Sequence, residues 1–433
     1  NLIEKNDIGD SGHGCINIVG PEGSTKFGEG PSYNIVRNNT LHNRFHTSFQ
    51  LEMNSHHNLI ENNIIFNSSK ENTTPGSGLQ IDASANIIRN NLIYDNEYED
   101  MTLNAYWYDT TFKYCNGNKI YNNVIYGNGE AHETNTAESL ENNTLKNNIY
   151  YNNTNTIYFW SGGDTNESNP FSYNIIFGNA SGQNVVTWKN VPHKLSYMES
   201  NYPEIFFNNT GENPNFLNPE DTDFSLTNES PAIDSGDFLT RTNGSGTGTE
   251  VKLLDAGYFT DGFGLIDGDE VRIGSNPLVA IVDVDYETNN ITLNQSVAWN
   301  DSDPVSLDYN GNAPDIGAFE SPYTRVSDSG PMFFVPPTES NGSSTNKSWT
   351  EINLSIEESD LDVFNLVLDG EDNYFRGNSL VLCLNLENNS AIGENSSYFV
   401  DISKKGNNCT CSGSRCPDFG QGKFSRGTVH DGS

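Results

Sequence analysis

Basic side chains are scarce in this sequence of 433 residues. It contains 22 Lys and Arg against 58 Asp and Glu, so its formal net charge is −36. A chain this acidic repels the phosphate backbone of nucleic acids, which we therefore exclude as partners. An acidic polysaccharide would also be repelled unless cations bridge it to the protein, so a partner of that kind implies Ca²⁺. A second interpretation of the charge is solubility alone in a saline habitat.

Long apolar runs and several catalytic motifs are missing as well. No stretch of about 18 apolar residues occurs, so the sequence predicts no membrane-spanning helix. It also lacks GxSxG, a phosphate-cradling glycine loop and HExxH, the motifs of several large enzyme classes.

Cysteine is rare, with six residues in two groups. Cys15 and Cys115 stand alone, and we expect them to be buried or loop thiols rather than a disulfide. The other four are clustered near the carboxyl end, at Cys383, Cys409, Cys411 and Cys416. Their spacing lacks the paired C-x2-C of a zinc site, so disulfides are the favoured interpretation.

A short repeated word is the main positive signal. The string NLIENNII at Asn58–Ile65 recurs nearly unchanged as NLIEKNDI at Asn1–Ile8. Looser copies follow, and their equivalent residues are Lys5, Asn38, Asn62, Asn90, Asn122 and Asn147. The steps between these positions are 33, 24, 28, 32 and 25 residues. Periods of about 20 to 50 residues indicate a stacked architecture.

The residue types within each word indicate strands. Apolar and mostly β-branched residues occupy alternate positions, which is strand periodicity. The shortest step is too short for a pair of helices, and a coil of three short strands fits it. Asn side chains would bond their neighbours in the coils above and below, and Asn tolerates the left-handed backbone that a corner needs.

These words resemble the repeats of right-handed parallel β-helix proteins, the architecture of pectate lyases and alginate epimerases. The resemblance is strong over residues 1–179 and weaker as far as Glu320. It implies an all-β fold and says little about activity, because one fold serves many functions. The chain begins at the first residue of a word, Asn1, so we expect it to lack its amino-terminal coils and any targeting segment with them.

Composition predicts how the chain is divided. We predict β-helix coils over residues 1–239 and a small inserted β-barrel over residues 240–312, where short strands alternate with Gly, Asn and Asp turns. Asp223–Gly236 and Ala313–Glu320 resemble the closing segment of bacterial and archaeal β-helix proteins. We expect this closing segment, which ends within residues 313–326, to cap the last coil.

The last quarter of the chain has a different composition. Residues 327–348 are rich in Pro, Gly, Ser and Asn and are predicted to be a linker. Residues 349–433 resemble the opening of a laminin-G-like or concanavalin-like β-sandwich, for example at Ser379–Leu386. They are too few to close its two sheets, so we expect an incomplete sandwich.

Polar residues alternate with apolar ones on the strand before each word. Aligning these strands predicts two rows of outward side chains: Asn17, Gln50, Gln80 and Thr102 in one, and Val19, Glu52, Asp82 and Asn104 in the other. Adjacent coils lie about 4.8 Å apart, so Glu52 and Asp82 would face each other and share a proton or a cation. With Asn104 beside them we predict a Ca²⁺ site. The alternative is a solvated acidic face whose side chains splay apart.

A second acidic run offers a weaker cation signal. Its residues are Asp255, Asp261, Asp267, Asp269 and Glu270. The run is rich in glycine but lacks the residue order of an EF-hand.

The resemblance to polysaccharide lyases implies a role for the acidic pair, because these enzymes hold Ca²⁺ on the same face to bind and acidify a uronate. Glu52 and Asp82 are then catalytic, and we nominate His46 as the base that removes the proton. A solvated turn histidine is the alternative for His46. If Glu52 and Asp82 instead acted as the acid and base of a glycoside hydrolase, they would be closer than inverting chemistry prefers.

Aromatic residues extend the predicted sugar site beyond Gln50 and Gln80. Tyr158 and Trp160 point outward on a later strand of the same sheet, and Trp107 and Tyr108, in a long inserted loop, would form one wall of the groove. Exposed rings along a groove stack on sugar faces. The alternative is that these rings pack under inserted loops.

Sequons for N-glycosylation are frequent, at Asn38, Asn67, Asn72, Asn142, Asn166, Asn179, Asn228, Asn243, Asn341 and Asn388. Their density favours an extracellular or cell-surface glycoprotein, and the alternative is that many of them arise by chance in an Asn-rich chain. We therefore predict a monomeric β-helix protein that binds an acidic polysaccharide, with uronate lyase activity as an open question. The alternative is a non-catalytic adhesive stalk whose appended β domains bind glycans.

Overall fold

The computed structural model divides the chain into two compact units, residues 1–325 and 326–433. It describes the first unit apart from residues 10–13, 21–29, 53, 69–75, 98, 106, 109–110, 113–114, 128–129, 137–139, 154, 160–167 and 179–181, and eight strands of the second. For the second unit, and for 105, 107–108, 111–112, 130–136 and 155, the description is of the backbone alone. No helix in the described part of the chain is long and apolar enough to cross a membrane.

Three parallel sheets form the stack, and each coil contributes one strand to each sheet. Sheet A contains β1 (Leu2–Glu4), β4 (Ile35–Arg37), β7 (Leu59–Glu61), β10 (Ile87–Arg89), β15 (Lys119–Tyr121), β18 (Thr144–Lys146), β21 (Phe171–Ser172) and β25 (Phe206–Phe207). Sheet B contains β2 (Asp7–Ile8), β5 (Thr40–His42), β8 (Ile64–Phe66), β11 (Leu92–Tyr94), β16 (Val124–Tyr126), β19 (Ile149–Tyr151) and β22 (Ile175–Phe177).

Sheet C contains the strands that precede the words. They are β3 (Ile16–Val19), β6 (Phe49–Glu52), β9 (Ser77–Ile81), β12 (Glu99–Ala105), β17 (Glu130–Thr136), β20 (Asn155–Phe159) and β23 (Asn184–Trp188), and β24 (Val191–Lys194) is added antiparallel at the end. A two-stranded hairpin, β13 (Trp107–Tyr108) with β14 (Thr111–Phe112), follows β12.

Equivalent residues of successive words are paired neighbours. Ile60 of β7 pairs with Ile88 of β10, which pairs with Ile120 of β15. All three side chains are buried in one hydrophobic cluster that runs along the inside of the stack. Burial of each such side chain contributes about 1.5–3 kcal/mol, and this core explains why the words stack. The predicted parallel β-helix is confirmed.

Two roles were predicted for asparagine: side-chain hydrogen bonding between coils and the left-handed backbone of the corner. In the structure, adjacent residues perform them separately. In the corner between sheets A and B, the first Asn of each pair takes the left-handed backbone, as at Asn62 (φ 54°) and Asn90 (φ 53°). The second Asn, as at Asn63 and Asn91, is fully buried and forms the side-chain ladder. The Asn91 Nδ2 donates to Asn123 Oδ1 at 3.0 Å, and Asn63 Nδ2 donates to Asn91 Oδ1 at 3.0 Å.

Two such ladders run the length of the stack. One joins Asn6, Asn39, Asn63, Asn91, Asn123, Asn148, Asn174 and Asn209. The other joins Asn1, Asn34, Asn58, Asn86, Asn118, Asn143 and Asn169. The first ladder ends on a carboxylate, because Glu199 Oε1 accepts a hydrogen bond from Asn209 N at 2.8 Å. Glu199 belongs to helix α1 (Leu195–Asn201).

The end of the stack is closed by α1 and not by the predicted closing segment. Leu195 and Met198 of α1 are buried in the core cluster beside Trp188 and Phe206. The closing segment instead lies along the outer face of sheet B together with β26 (Phe216–Asn218). The expectation that the closing segment caps the last coil was therefore wrong.

Aromatic and aliphatic side chains hold the closing segment on sheet B. Phe224 of β27 (Asp223–Leu226) lies 5.1 Å from the ring of Tyr126, and Ile316 is buried in the same cluster. Gly317 makes close approach possible, because a Cβ there would lie 2.7 Å from Ile149 Cδ1 and its φ is 106°. The outward residues of sheet B are apolar, so they require a cover of this kind.

The insert is a six-stranded antiparallel sheet curled into a half-barrel. Its strands are β28 (Thr240–Arg241), β29 (Gly246–Lys252), β30 (Glu270–Ile273), β31 (Val279–Asp285), β32 (Asn290–Trp299) and β33 (Pro304–Leu307). Its core packs on the outward residues of sheet A, which are Ile35, Leu59, Ile87 and Tyr121.

Three ion pairs also join the insert region to sheet A. They are Arg89 with Asp269, Lys119 with Asp255 and Lys146 with Asp237, at 2.6, 2.7 and 2.7 Å. Arg89 also bonds Glu61 Oε2 at 2.7 Å, and all three members of this cluster are buried. Burial alone would lower the pKa of Arg89, but Asp269, Tyr121 and Glu61 outweigh it and hold the pKa well above its ordinary value.

The described strands of the second unit form four antiparallel pairs. They are β34 (Met332–Val335) with β35 (Asn353–Ile356), β36 (Val363–Leu368) with β37 (Glu371–Arg376), β38 (Tyr398–Phe399) with β39 (Cys409–Thr410) and β40 (Asp418–Gln421) with β41 (Arg426–Val429). Most of the predicted linker and the side chains of the four clustered cysteines lie outside the described residues. In the first unit Cys15 and Cys115 are free thiols, as predicted.

Candidate functional site

Sheet C carries the candidate site because the other two sheets are covered by the chain itself. The hydrophobic cluster of the insert includes residues of sheet A, and that of the closing segment includes residues of sheet B. Neither cluster includes a residue of sheet C. The described outward residues of sheet C are mainly polar, in contrast to the largely apolar ones of sheet B.

One outward row of sheet C runs in register through seven strands. Its members are Asn17, Gln50, Gln80, Thr102, Glu133, Tyr158 and Thr187. The first four confirm the predicted row, and Tyr158 joins the same row as expected for a residue of that sheet. Exposure falls over its first four members, since Asn17 is exposed, Gln50 and Gln80 are half-buried and Thr102 is buried, whereas Tyr158 and Thr187 are half-buried again.

The two glutamines form hydrogen bonds along the row. Gln50 Nε2 donates to Gln80 Oε1 at 3.1 Å and to Glu52 Oε1 at 3.2 Å. Gln80 Nε2 donates to Asp82 Oδ2 at 2.7 Å and approaches Glu52 Oε1 at 3.5 Å. The Gln80 amide therefore bridges the two carboxylates, which were predicted to meet directly.

The two carboxylates differ in exposure. Glu52 is half-buried, whereas Asp82 is fully buried, which is more enclosed than the outward position predicted for it. Burial raises the pKa of the nearby Cys115 thiol well above its usual value, and the Asp82 carboxylate adds to the effect. Asn104 is half-buried and follows Leu103, which pairs with Ile81, so the structure brings it beside Asp82.

Neither predicted cation site forms a cluster of metal-ligating side chains. Among the described residues, no group of three or more His, Cys, Asp or Glu is placed to hold a metal ion. In the acidic glycine-rich run, Asp269 bonds Arg89, Asp255 bonds Lys119, and Asp261 Oδ1 accepts from Phe263 N. The Glu52, Asp82 and Asn104 set still offers oxygen ligands of the kind that Ca²⁺ prefers.

The candidate base lies beside the row and not in it. His46 is half-buried in the turn between β5 and β6. Arg44, two residues earlier, is 2% exposed, and its Nε donates to Cys15 Sγ at 2.6 Å. His56 and His57 lie at the corner beyond β6, and their Nδ1 atoms are 2.8 Å apart.

The four predicted aromatic residues have different positions. Tyr158 is half-buried in the row, and its hydroxyl lies 3.2 Å from Asn190 Oδ1. Trp107 and Tyr108 form strand β13 of the hairpin, and only their backbones are described. Trp160 lies outside the described residues.

No protein-family model matches the chain, and no curated protein matches it.

Proposed function

We propose that this protein binds an extracellular polysaccharide along the outer face of sheet C. The observation that carries the proposal is the in-register polar row, in which two amides are held at the spacing of adjacent coils, about 4.8 Å. An amide offers both donors and acceptors, which matches the hydroxyl groups of a sugar chain. Tyr158, in the same row, supplies a ring for stacking on a sugar face.

We propose an acidic polymer and Ca²⁺ as its co-ligand. The chain carries a net charge of −36, so a bare polyanion would be repelled from it. Glu52, Asp82 and Asn104 supply the oxygen ligands that a bridging cation needs. The amide of Gln80 now occupies both carboxylates, so cation binding requires this side chain to move or to join the ligand set.

An extracellular or cell-surface location goes with this partner. Four of the sequon asparagines, Asn38, Asn142, Asn228 and Asn243, are exposed and accessible to glycosylation. The stacked coils support a relation to pectate-lyase-like β-helix proteins, and the antiparallel strand pairs of the second unit are compatible with a laminin-G-like sandwich.

The test is binding to pectate, alginate and a neutral xylan, with and without Ca²⁺, measured by isothermal titration calorimetry. The double variant Gln50→Ala and Gln80→Ala should lose binding, while Gln295→Ala, an exposed amide of the insert, should not. Absence of binding to every polymer, or equal binding by the double variant, would contradict the proposal.

The same samples decide whether the outer face of sheet C is catalytic. β-Elimination of a uronate chain produces an unsaturated sugar that absorbs in the ultraviolet. Product that forms with the native chain and disappears with His46→Ala would identify a lyase. Binding without product would instead identify the adhesive, non-catalytic protein.

A further inference from the structure

A cavity of about 420 Å³ lies between the β-helix and the half-barrel, away from the polar row of sheet C. Coil residues His57 and Ile87 line one side, and insert residues Phe263 and Tyr286 line another. This volume is within the range of small-ligand sites, and such sites are frequent where two parts of a protein meet.

Aromatic side chains form one wall of the cavity. The rings of His57 and Tyr286 are 5.0 Å apart, and Tyr33 lies 5.2 Å from Phe263 and 5.6 Å from His57. Tyr286 is fixed by its hydroxyl, which donates to Phe259 O at 2.9 Å. The wall is therefore built from rings that the fold holds in place.

Phe263 is held in an unfavourable backbone conformation. Its φ is 52° and its ψ is 26°, in the left-handed region that costs a bulky residue about 1–2 kcal/mol. Gly262 and Gly264 flank it, and Asp261 Oδ1 fixes its N–H at 2.8 Å. Glycine would adopt this backbone conformation without strain. The strain at Phe263 therefore points to a role for its aromatic ring at this position.

Polar groups also line the cavity. Lys119 Nζ and Asp255 Oδ2 form an ion pair at 2.7 Å, and Glu287 and Asn289 belong to the same lining. Burial, followed by the effect of His56, lowers the pKa of His57 to about 4, so its ring is neutral at physiological pH. The lining thus offers donors and acceptors, with one carboxylate in excess over the ammonium.

We propose that this cavity binds a neutral pyranose ring of a mono- or disaccharide, at a site distinct from the groove on sheet C. The apolar face of the sugar stacks against Phe263 and Tyr286. Its hydroxyls bond Lys119, Asp255 and Asn289, which present both donors and acceptors. A uronate is disfavoured because Glu287 repels it and Lys119, the one lysine among the described lining residues, is already paired with Asp255.

The test uses cellobiose, maltose, lactose and mannobiose, each titrated to millimolar concentration against the full chain and followed by calorimetry. Choline chloride and a galacturonic acid dimer serve as the competing chemistries. We expect at least one neutral disaccharide to bind. Failure of all four to bind, or binding of choline or the uronate dimer alone, would overturn the proposal.

Phe263→Gly separates the role of the ring from its place in the fold. Glycine relieves the left-handed strain but loses the packing of the ring on the half-barrel core, so the two effects offset each other and the melting temperature should change little, while disaccharide affinity should drop about tenfold. Leu265→Ala, an exposed apolar residue of the same loop, is the matched control and should bind normally. Unchanged affinity in Phe263→Gly would refute the site.

The two proposals fail independently. The double variant Gln50→Ala and Gln80→Ala should keep the disaccharide affinity, and Phe263→Gly should keep polymer binding. Loss of disaccharide binding in the sheet C variant would show that no separate site exists.

Discussion

The asparagine ladder makes a quantitative prediction, because adjacent residues of one corner have different tasks. The two N–H groups of Asn91 Nδ2 donate to three nearby acceptors, Ile60 O, Arg89 O and Asn123 Oδ1. Asn91→Ala removes both donors and also the acceptor of two bonds from Asn63, through N and Nδ2. At about 1 kcal/mol each, these four bonds amount to about 4 kcal/mol of unfolding free energy. All the partners are buried, so water does not replace the lost amide.

Asn90→Gly is the matched control in the same corner. Asn90 has a φ of 53°, which glycine adopts without strain, so we expect a change within about 0.5 kcal/mol. Both variants are compared with the native chain by urea unfolding, followed by circular dichroism in the far ultraviolet. If m is unchanged, the shift in midpoint gives the difference in stability. Equal costs for the two substitutions would refute the assignment of the ladder to the second Asn of each pair.

Three further predictions concern buried charges. Arg89→Met leaves the carboxylates of Glu61 and Asp269 buried without their cation, so denaturant unfolding should show a loss of about 3–5 kcal/mol; a loss below about 1 kcal/mol would contradict this. Burial raises the pKa of Asp315 from 3.8 to about 6, so its stabilising contribution is complete below pH 3.8 and lost as pH rises through about 6. Unfolding stability should therefore fall across this window, and Asp315→Asn should make the fall smaller, leaving the part due to its neighbour Glu320, whose pKa burial raises to about 7; an unchanged profile would contradict this. Glu199→Gln keeps the acceptor at the end of the first ladder and should leave the unfolding free energy nearly unchanged, whereas Glu199→Ala should lower it by about 1–2 kcal/mol, measured by thermal unfolding. Equal melting temperatures of the two variants would show that this acceptor does not stabilise the ladder.

Local periodicity was sufficient to predict the stack. The apolar residues of each word alternate, and equivalent positions such as Ile60 and Ile88 are paired in register. The same alignment correctly placed Gln50 opposite Gln80 on sheet C. These features depend on residues about two dozen positions apart, which share one pattern and so leave a trace in the sequence.

Contacts between unlike segments were not predictable in the same way. The closing segment was expected at the end of the stack, but apolar residues such as Phe224 and Ile316 pack on sheet B. Their partners, Tyr94 and Tyr126, are at outward positions of the word, and only their lack of polarity signals that something covers them. Periodicity alone does not identify the covering segment.

The candidate sites show the same division. The alternation placed Gln50 and Glu52 on the outer face, but the burial of Asp82 depends on structure beyond its own strand. The cavity near Phe263 combines residues of a coil with residues of the insert, which are far apart in sequence. Its one local signal was an aromatic residue between two glycines, Gly262-Phe263-Gly264.

The ladders also make the stack tolerant of changes in coil length. Consecutive rungs are separated by 24, 28, 32 and 25 residues along the chain, yet each amide meets the next at about 3 Å. Extra residues therefore go into surface loops and leave the rise between coils unaltered. A peptide grafted into one of these loops would therefore be presented at the fixed spacing of the coils, whatever its own length.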